Sequence, residues 1–118
     1  MRIVSDGTTA EIYGGRFTGK VQLEMLNEAE AEGHPDIARV SFADGAATFW
    51  HSHPGGQKLL IISGVGRVGT EAGETELLPG TFVDAPAGER HYHGAAVGHD
   101  CSVLAITWGT TDWEDLAP

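Results

Sequence analysis

Residues 49–57 read FWHSHPGGQ: two histidines one residue apart, a Pro-Gly-Gly turn, and a glutamine four positions after the second histidine. Side chains alternate between the faces of an extended strand, so a strand through this stretch sends His51 and His53 to the same side. Two imidazoles on one face repel when protonated, pack as a neutral pair, or share a metal ion. The Pro54-Gly55-Gly56 turn reverses the chain, so His51, His53 and Gln57 are expected on two adjacent strands.

The flanking sequence continues the strand pattern. KVQLEML (20–26), IARVSF (37–42), ATFWHSH (47–53) and QKLLIIS (57–63) are short, rich in β-branched or aromatic residues, and bounded by glycine, proline or acidic turns. GRVGTEAG (66–73), ETELL (74–78), GTFVDAP (80–86), ERHYHG (89–94) and CSVLAITW (101–108) keep that rhythm. Many short strands at close spacing predict an all-β domain, a sandwich or a barrel. Residues 1–118 form one domain on this reading, with the barrel running from about residue 20 to 109. Parity predicts Ala47, Phe49, His51 and His53 inward on one strand and Leu59 and Ile61 inward on the next. Phe82 is expected to join Phe49 in lining an apolar pocket. Leu60 and Ile62 then point outward, and apolar side chains on an outer face predict a homodimer. The acidic run NEAEAEGHPD (27–36) reads as a loop over one end of the barrel. Thr111 and Glu114 stand at capping-box spacing, which predicts one helical turn at the C-terminal end.

Composition limits function. The chain has 118 residues, 41% hydrophobic residues and 17 glycines, consistent with one loop-rich globular core. A formal net charge of −10 argues against nucleic acid as a partner, because phosphate contacts need a basic surface. A single cysteine, Cys101, allows no internal disulfide and is expected to be packed in a strand. No apolar run is long enough to span a bilayer, and the expected location is cytoplasmic.

Counting from Gly45, His51 follows after five residues, His53 after one, Gln57 after three and Gly64 after six. From Gly80, Pro86 follows after five residues, Gly88 after one and His91 after two. These two stretches resemble the paired motifs of the cupin superfamily, G-x5-H-x-H-x3-E-x6-G and G-x5-P-x-G-x2-H-x3-N. The resemblance extends from about Val21 onward, with Gln57 in place of glutamate and Ala95 in place of asparagine. It implies a small antiparallel double-sheet β-barrel of jelly-roll type, with His51, His53, Gln57 and His91 as ligands of one metal ion. Gly45 and Gly80 occupy positions where turns need positive φ. Three imidazoles suit a borderline first-row divalent ion, manganese, iron, nickel or zinc, with open positions for water or substrate. Cupins without metal also exist, and there Gln57 would only hydrogen-bond a histidine.

Gln57 cancels no metal charge, whereas a glutamate would cancel one unit. That favours Lewis-acid chemistry over oxygen activation. Phe17–Lys20, WHSHPGGQ and GERHYHGAA (88–96) look like bacterial manganese-binding cupins with (R)-selective hydroxynitrile lyase activity. That resemblance makes manganese the first choice of metal and a small molecule the substrate. In those enzymes an inward histidine stands where this chain has Val103. His93 shares parity with His91 and is the remaining inward acid/base candidate, with an ordinary pKa near 6.5. His34 and His99 fall in loops and are expected to be solvated. Three functions follow: a metal-dependent lyase on a small carbonyl or alcohol, a metal-dependent dioxygenase, or a non-enzymatic small-ligand binder.

Overall fold

A computed structural model describes all 118 residues as strands, turns and loops, with no helix. In chain order the strands are β1 (Thr8–Tyr13), β2 (Lys20–Asn27), β3 (Asp36–Phe42), β4 (His51–Ser52), β5 (Gln57–Gly64) and β6 (Gly66–Thr70). They continue as β7 (Gly73–Leu77), β8 (Phe82–Ala85), β9 (Tyr92–Ala95), β10 (Cys101–Thr107) and β11 (Asp112–Trp113). One six-stranded sheet runs β1-β2-β3-β10-β5-β8. A three-stranded sheet, β7-β6-β9, and a two-stranded ribbon, β11-β4, make up the rest, and every pairing is antiparallel. This is the all-β architecture expected from the strand rhythm and the double-sheet jelly roll that the resemblance implies. Since no helix forms, no helix is long and apolar enough to cross a membrane.

Register explains the core. Residues directly opposite on paired strands share a face, so Leu23, Val40, Val103 and Ile61 form one inward row across the large sheet. Met25, Ala38, Ala105, Leu59 and Val83 form the next. Phe42, Leu59, Ile61 and Val103 are almost wholly buried, and Cys101 packs among them. One row further on, the pattern changes: Asp36, Thr107 and Gln57 stand opposite one another. The inner face of one sheet thus passes from apolar to polar within a single row. At Gly64, which closes the first motif, φ is +76° and a Cβ would collide with the Asp100 carbonyl, so only glycine lets the chain turn there. Gly45 likewise has φ of +72°.

Several expectations are corrected. Residues 47–53 do not form one strand. Only His51–Ser52 is regular, because neighbouring backbone groups find different partners: Thr48 N–H donates to His93 O, Phe49 N–H to Arg16 O, and Trp50 N–H to Leu116 O. The parity count slips there. Thr48 is buried and lines the cavity, while Phe49 is half-buried and does not. Phe82 also points outward, since it pairs with outward Leu60, and Val83, opposite Leu59, packs on the core instead. His51 and Gln57 are not on adjacent strands; β4 pairs with β11, and β5 with β10 and β8. The C-terminal segment is not helical. Glu114 N–H donates to Trp50 O and so extends the pairing of β11 with β4.

Candidate metal centre

Two strand segments bring the first two imidazoles together. His51 and His91 are direct partners in an antiparallel bridge, each donating its N–H to the other's carbonyl at 2.9 Å. Their side chains lie on one face with ring centroids 4.5 Å apart. Each ring is fixed by the carbonyl two residues before it. His51 Nδ1 lies 2.8 Å from Phe49 O, and His91 Nδ1 lies 2.9 Å from Glu89 O. A carbonyl only accepts, so both protons reside on Nδ1 and both Nε2 atoms carry free lone pairs.

Gln57 reaches the same point from the large sheet. Its Nε2 donates to Thr107 Oγ1 at 2.9 Å, which aims Oε1 at His91 Nε2, 3.2 Å away. With His91 protonated on Nδ1, this contact sets two acceptors face to face. Such a pair needs a proton or a cation between them. His53 stands 4.9 Å from His51 between ring centroids, with Nδ1 3.1 Å from the Thr111 hydroxyl and a buried Nε2 that has no hydrogen-bond partner. His93 is buried as well; it stacks on His91 at 5.8 Å, and its Nδ1 has no hydrogen-bond partner either. One ring nitrogen from each of His51, His91 and His93 lies within 4.8 Å of the others. The fold therefore gathers all five residues singled out by sequence. His93, read there as an acid/base, sits among the candidate ligands themselves.

Burial keeps these imidazoles neutral. It pushes His51 down to about 3, outweighing the Phe49 carbonyl that favours the charged form; His91 and His53 lower it further. His53 falls to about 4, first from burial and then from His91, with the nearby Gln57 side chain and the charge of Asp112 opposing. His91 is lowered by burial against the Glu89 carbonyl. His93 lies well below its ordinary value, from burial first and then its three histidine neighbours. At neutral pH His93 is thus neutral and a weaker base than the group poised near 6.5 expected from sequence. Neutral imidazole lone pairs and an amide oxygen form a donor set that fits a borderline first-row divalent ion. His34 and His99 are exposed, and Cys101 is buried with its thiol pushed up to about 11 by burial.

A cavity of about 170 Å³ opens beside the cluster. Phe17, Leu23, Val40, Phe42 and Ala105 form its apolar wall; Thr48, Thr107 and Thr111 add hydroxyls. Trp113 closes one side, its ring centroid 4.7 Å from that of His51. Arg90 stacks 3.9 Å above Trp50 and ion-pairs with Glu114, holding the segment that carries Thr111 and Trp113. Sequence reading missed these residues. Thr107 was accessible through its shared parity with Val103 and Ala105, whereas nothing local predicts that residues 111–113 fold back over the histidines.

The cupin domain profile matches residues 38–107, which include every residue of the cluster. The chain belongs to the cupin family. This cupin is 41% identical over 91 residues to the (R)-mandelonitrile lyase of Granulicella tundricola, covering 76% of this chain and 70% of that one. A cupin-like protein from Thermotoga maritima superposes with a TM-score of 0.82 at 31% identity, covering 98% of this cupin and 90% of its own chain. The polyketide cyclase RemF from Streptomyces resistomycificus shares the fold, with a TM-score of 0.75 at 16% identity, covering 91% of this cupin and 78% of its own length.

Proposed function

We propose that this cupin is a metal-dependent lyase that cleaves or forms a small cyanohydrin, with His51, His53, Gln57 and His91 holding one divalent ion, manganese first. The observation that carries the reading is the convergence of Gln57 Oε1 and His91 Nε2, two acceptors 3.2 Å apart beside the orphaned His53 Nε2. Support for the reaction class comes from the 41% identity to a mandelonitrile lyase. When bound, the ion supplies Lewis acidity to a neighbouring oxygen. The chain's own residues do the rest. The apolar wall of Phe17, Val40 and Phe42 takes the hydrocarbon part of the substrate and excludes water. His93 lines the cavity and, although burial makes it a weak base, accepts the hydroxyl proton, which the ion's charge would acidify, as the C–C bond breaks and its electron pair leaves with cyanide. Returning that proton to cyanide gives hydrogen cyanide and the aldehyde.

A second ligand set has a specific observation in its favour, since ring nitrogens of His51, His91 and His93 lie mutually within 4.8 Å. Metal content of His93→Ala separates the two sets: retention supports Gln57 and His53 as ligands, and loss supports His93. The lyase reading is tested by mandelonitrile cleavage, followed as benzaldehyde release, in manganese-loaded and chelator-treated protein. Metal-dependent release supports it. Absence of release, or equal release without metal, refutes it.

The outer face of the large sheet completes the reading. Leu104, Leu60 and Phe82 stand opposite one another across three strands, and Leu60, Ile62 and Phe82 are exposed. This apolar patch is the proposed homodimer face. Leu60→Asp combined with Phe82→Asp should then give monomers by light scattering, and a wild type that is itself monomeric at micromolar concentration refutes the dimer.

A further inference from the structure

The cavity and a groove outside it share Asp36, Thr111 and Trp113, so these residues stand between the two. Asp36 is the one carboxylate that lines the cavity. Its Oδ1 accepts the Ala29 N–H at 2.8 Å, which fixes the side chain against the loop between β2 and β3. The other oxygen takes no hydrogen bond from the protein, and none of the molecule's ion pairs involves Asp36. The nearby cation of the groove, Arg16, lies over the Trp113 ring at 5.4 Å. A half-buried carboxylate with one free oxygen attracts a donor or a positive charge and repels an anion.

Register sets the distance to the chemistry. Asp36 stands opposite Thr107, and Thr107 opposite Gln57, on one inward row. Two strand spacings, about 10 Å, therefore separate the Asp36 and Gln57 backbones. That span matches a small aryl alcohol or aldehyde with its oxygen at the imidazoles and a para substituent at Asp36. We propose that Asp36 determines specificity: it selects substrates bearing a hydrogen-bond donor, hydroxyl or ammonium, at the end remote from the reacting oxygen, and excludes those bearing a carboxylate there. The inference rests on the reading that the imidazole end takes the substrate's oxygen.

The test is calorimetric binding of four para-substituted benzyl alcohols to the full-length, manganese-loaded protein. The substituents are methyl, hydroxyl, aminomethyl and carboxylate. Wild type should bind the aminomethyl alcohol about tenfold tighter than the methyl reference, the hydroxyl compound about threefold tighter, and the carboxylate about tenfold weaker. Asp36→Asn, isosteric and uncharged, should bring the aminomethyl and carboxylate compounds to within about threefold of the reference. Asp36→Ser, which keeps an acceptor for Ala29 N–H, gives the same comparison should the asparagine variant misfold. Equal affinity of wild type for the carboxylate and methyl compounds, an unchanged ranking in the variants, or no binding of any of the four overturns the proposal. These are binding measurements, so failure of cyanohydrin cleavage with the ranking intact sinks only the lyase reading.

Discussion

Removing metal and lowering pH should destabilise this cupin steeply between pH 7 and 5. The folded protein holds His51 at about 3 and His53 at about 4, whereas unfolded imidazoles titrate near 6.5. Above 6.5 both states are neutral, and the shift has no effect. Below it the unfolded chain takes up protons that the folded chain refuses, so stability falls with pH until the folded values are reached. At pH 5 the solution is one and a half units below the unfolded value, which makes each group worth about 2 kcal/mol against folding. Both rings are almost fully buried, so solvent screening removes little of this. The pair thus contributes about 4 kcal/mol, and His91 and His93 add in the same direction. Domains of this kind have about 5–15 kcal/mol in all, so the melting midpoint of chelator-treated protein should drop by roughly 10–20 °C from pH 8 to pH 5. Circular dichroism melts at constant ionic strength measure it, and His53→Gln should flatten the slope by about one proton. Manganese should raise the midpoint most at pH 8, because protons and metal compete for the same lone pairs. A midpoint that stays level across this range in metal-free protein would refute the neutral, buried cluster.

Four further outcomes follow from named contacts. His91→Ala removes one ligand and the partner of Gln57 Oε1, so bound manganese by elemental analysis should fall below one-tenth of wild type, about a tenfold loss. Gln57→Glu should keep the metal yet slow cyanohydrin cleavage, since a carboxylate cancels part of the ion's charge. Val103→His, opposite cavity-lining Val40, should raise mandelonitrile cleavage at a stability cost of about 1–3 kcal/mol for burying an imidazole in the core; outward Leu104→His should not, and no gain for position 103 counts against the lyase. Thr111→Val should weaken manganese binding by about 10–100-fold while Thr111→Ser restores it, because the hydroxyl at 3.1 Å orients His53.

The barrel strands and five site residues were legible because alternation and motif spacing are local properties. Leu59, Ile61, Leu60 and Ile62 fall on the faces that parity assigns. What failed was whatever depended on a distant partner. Strand β1 is an edge strand exposed along nearly its whole length, so it has no buried face to leave a pattern in TTAEIY. Counting by twos through residues 47–53 assumes one continuous ladder, and the chain there changes partners at almost every residue. Thr111 and Trp113 reach the histidines only because Glu114 N–H and Leu116 O pair with Trp50, sixty-odd residues earlier in the chain. No window around residue 111 contains that information.

The backbone bridge between His51 and His91 has a practical consequence for anyone handling the protein. Two candidate ligands stand opposite each other through main-chain hydrogen bonds alone, so the seat is built without the ion. On the reading proposed above, loading would be a late, exchangeable event at a ready seat, unlike a zinc finger, whose chain orders only around its metal. A ready seat of nitrogen donors ranks ions by intrinsic affinity, and zinc and nickel outrank manganese on that scale. On that reading an ion recovered with the purified protein would record the growth medium and the buffers, and the native metal would have to be sought in the cell of origin.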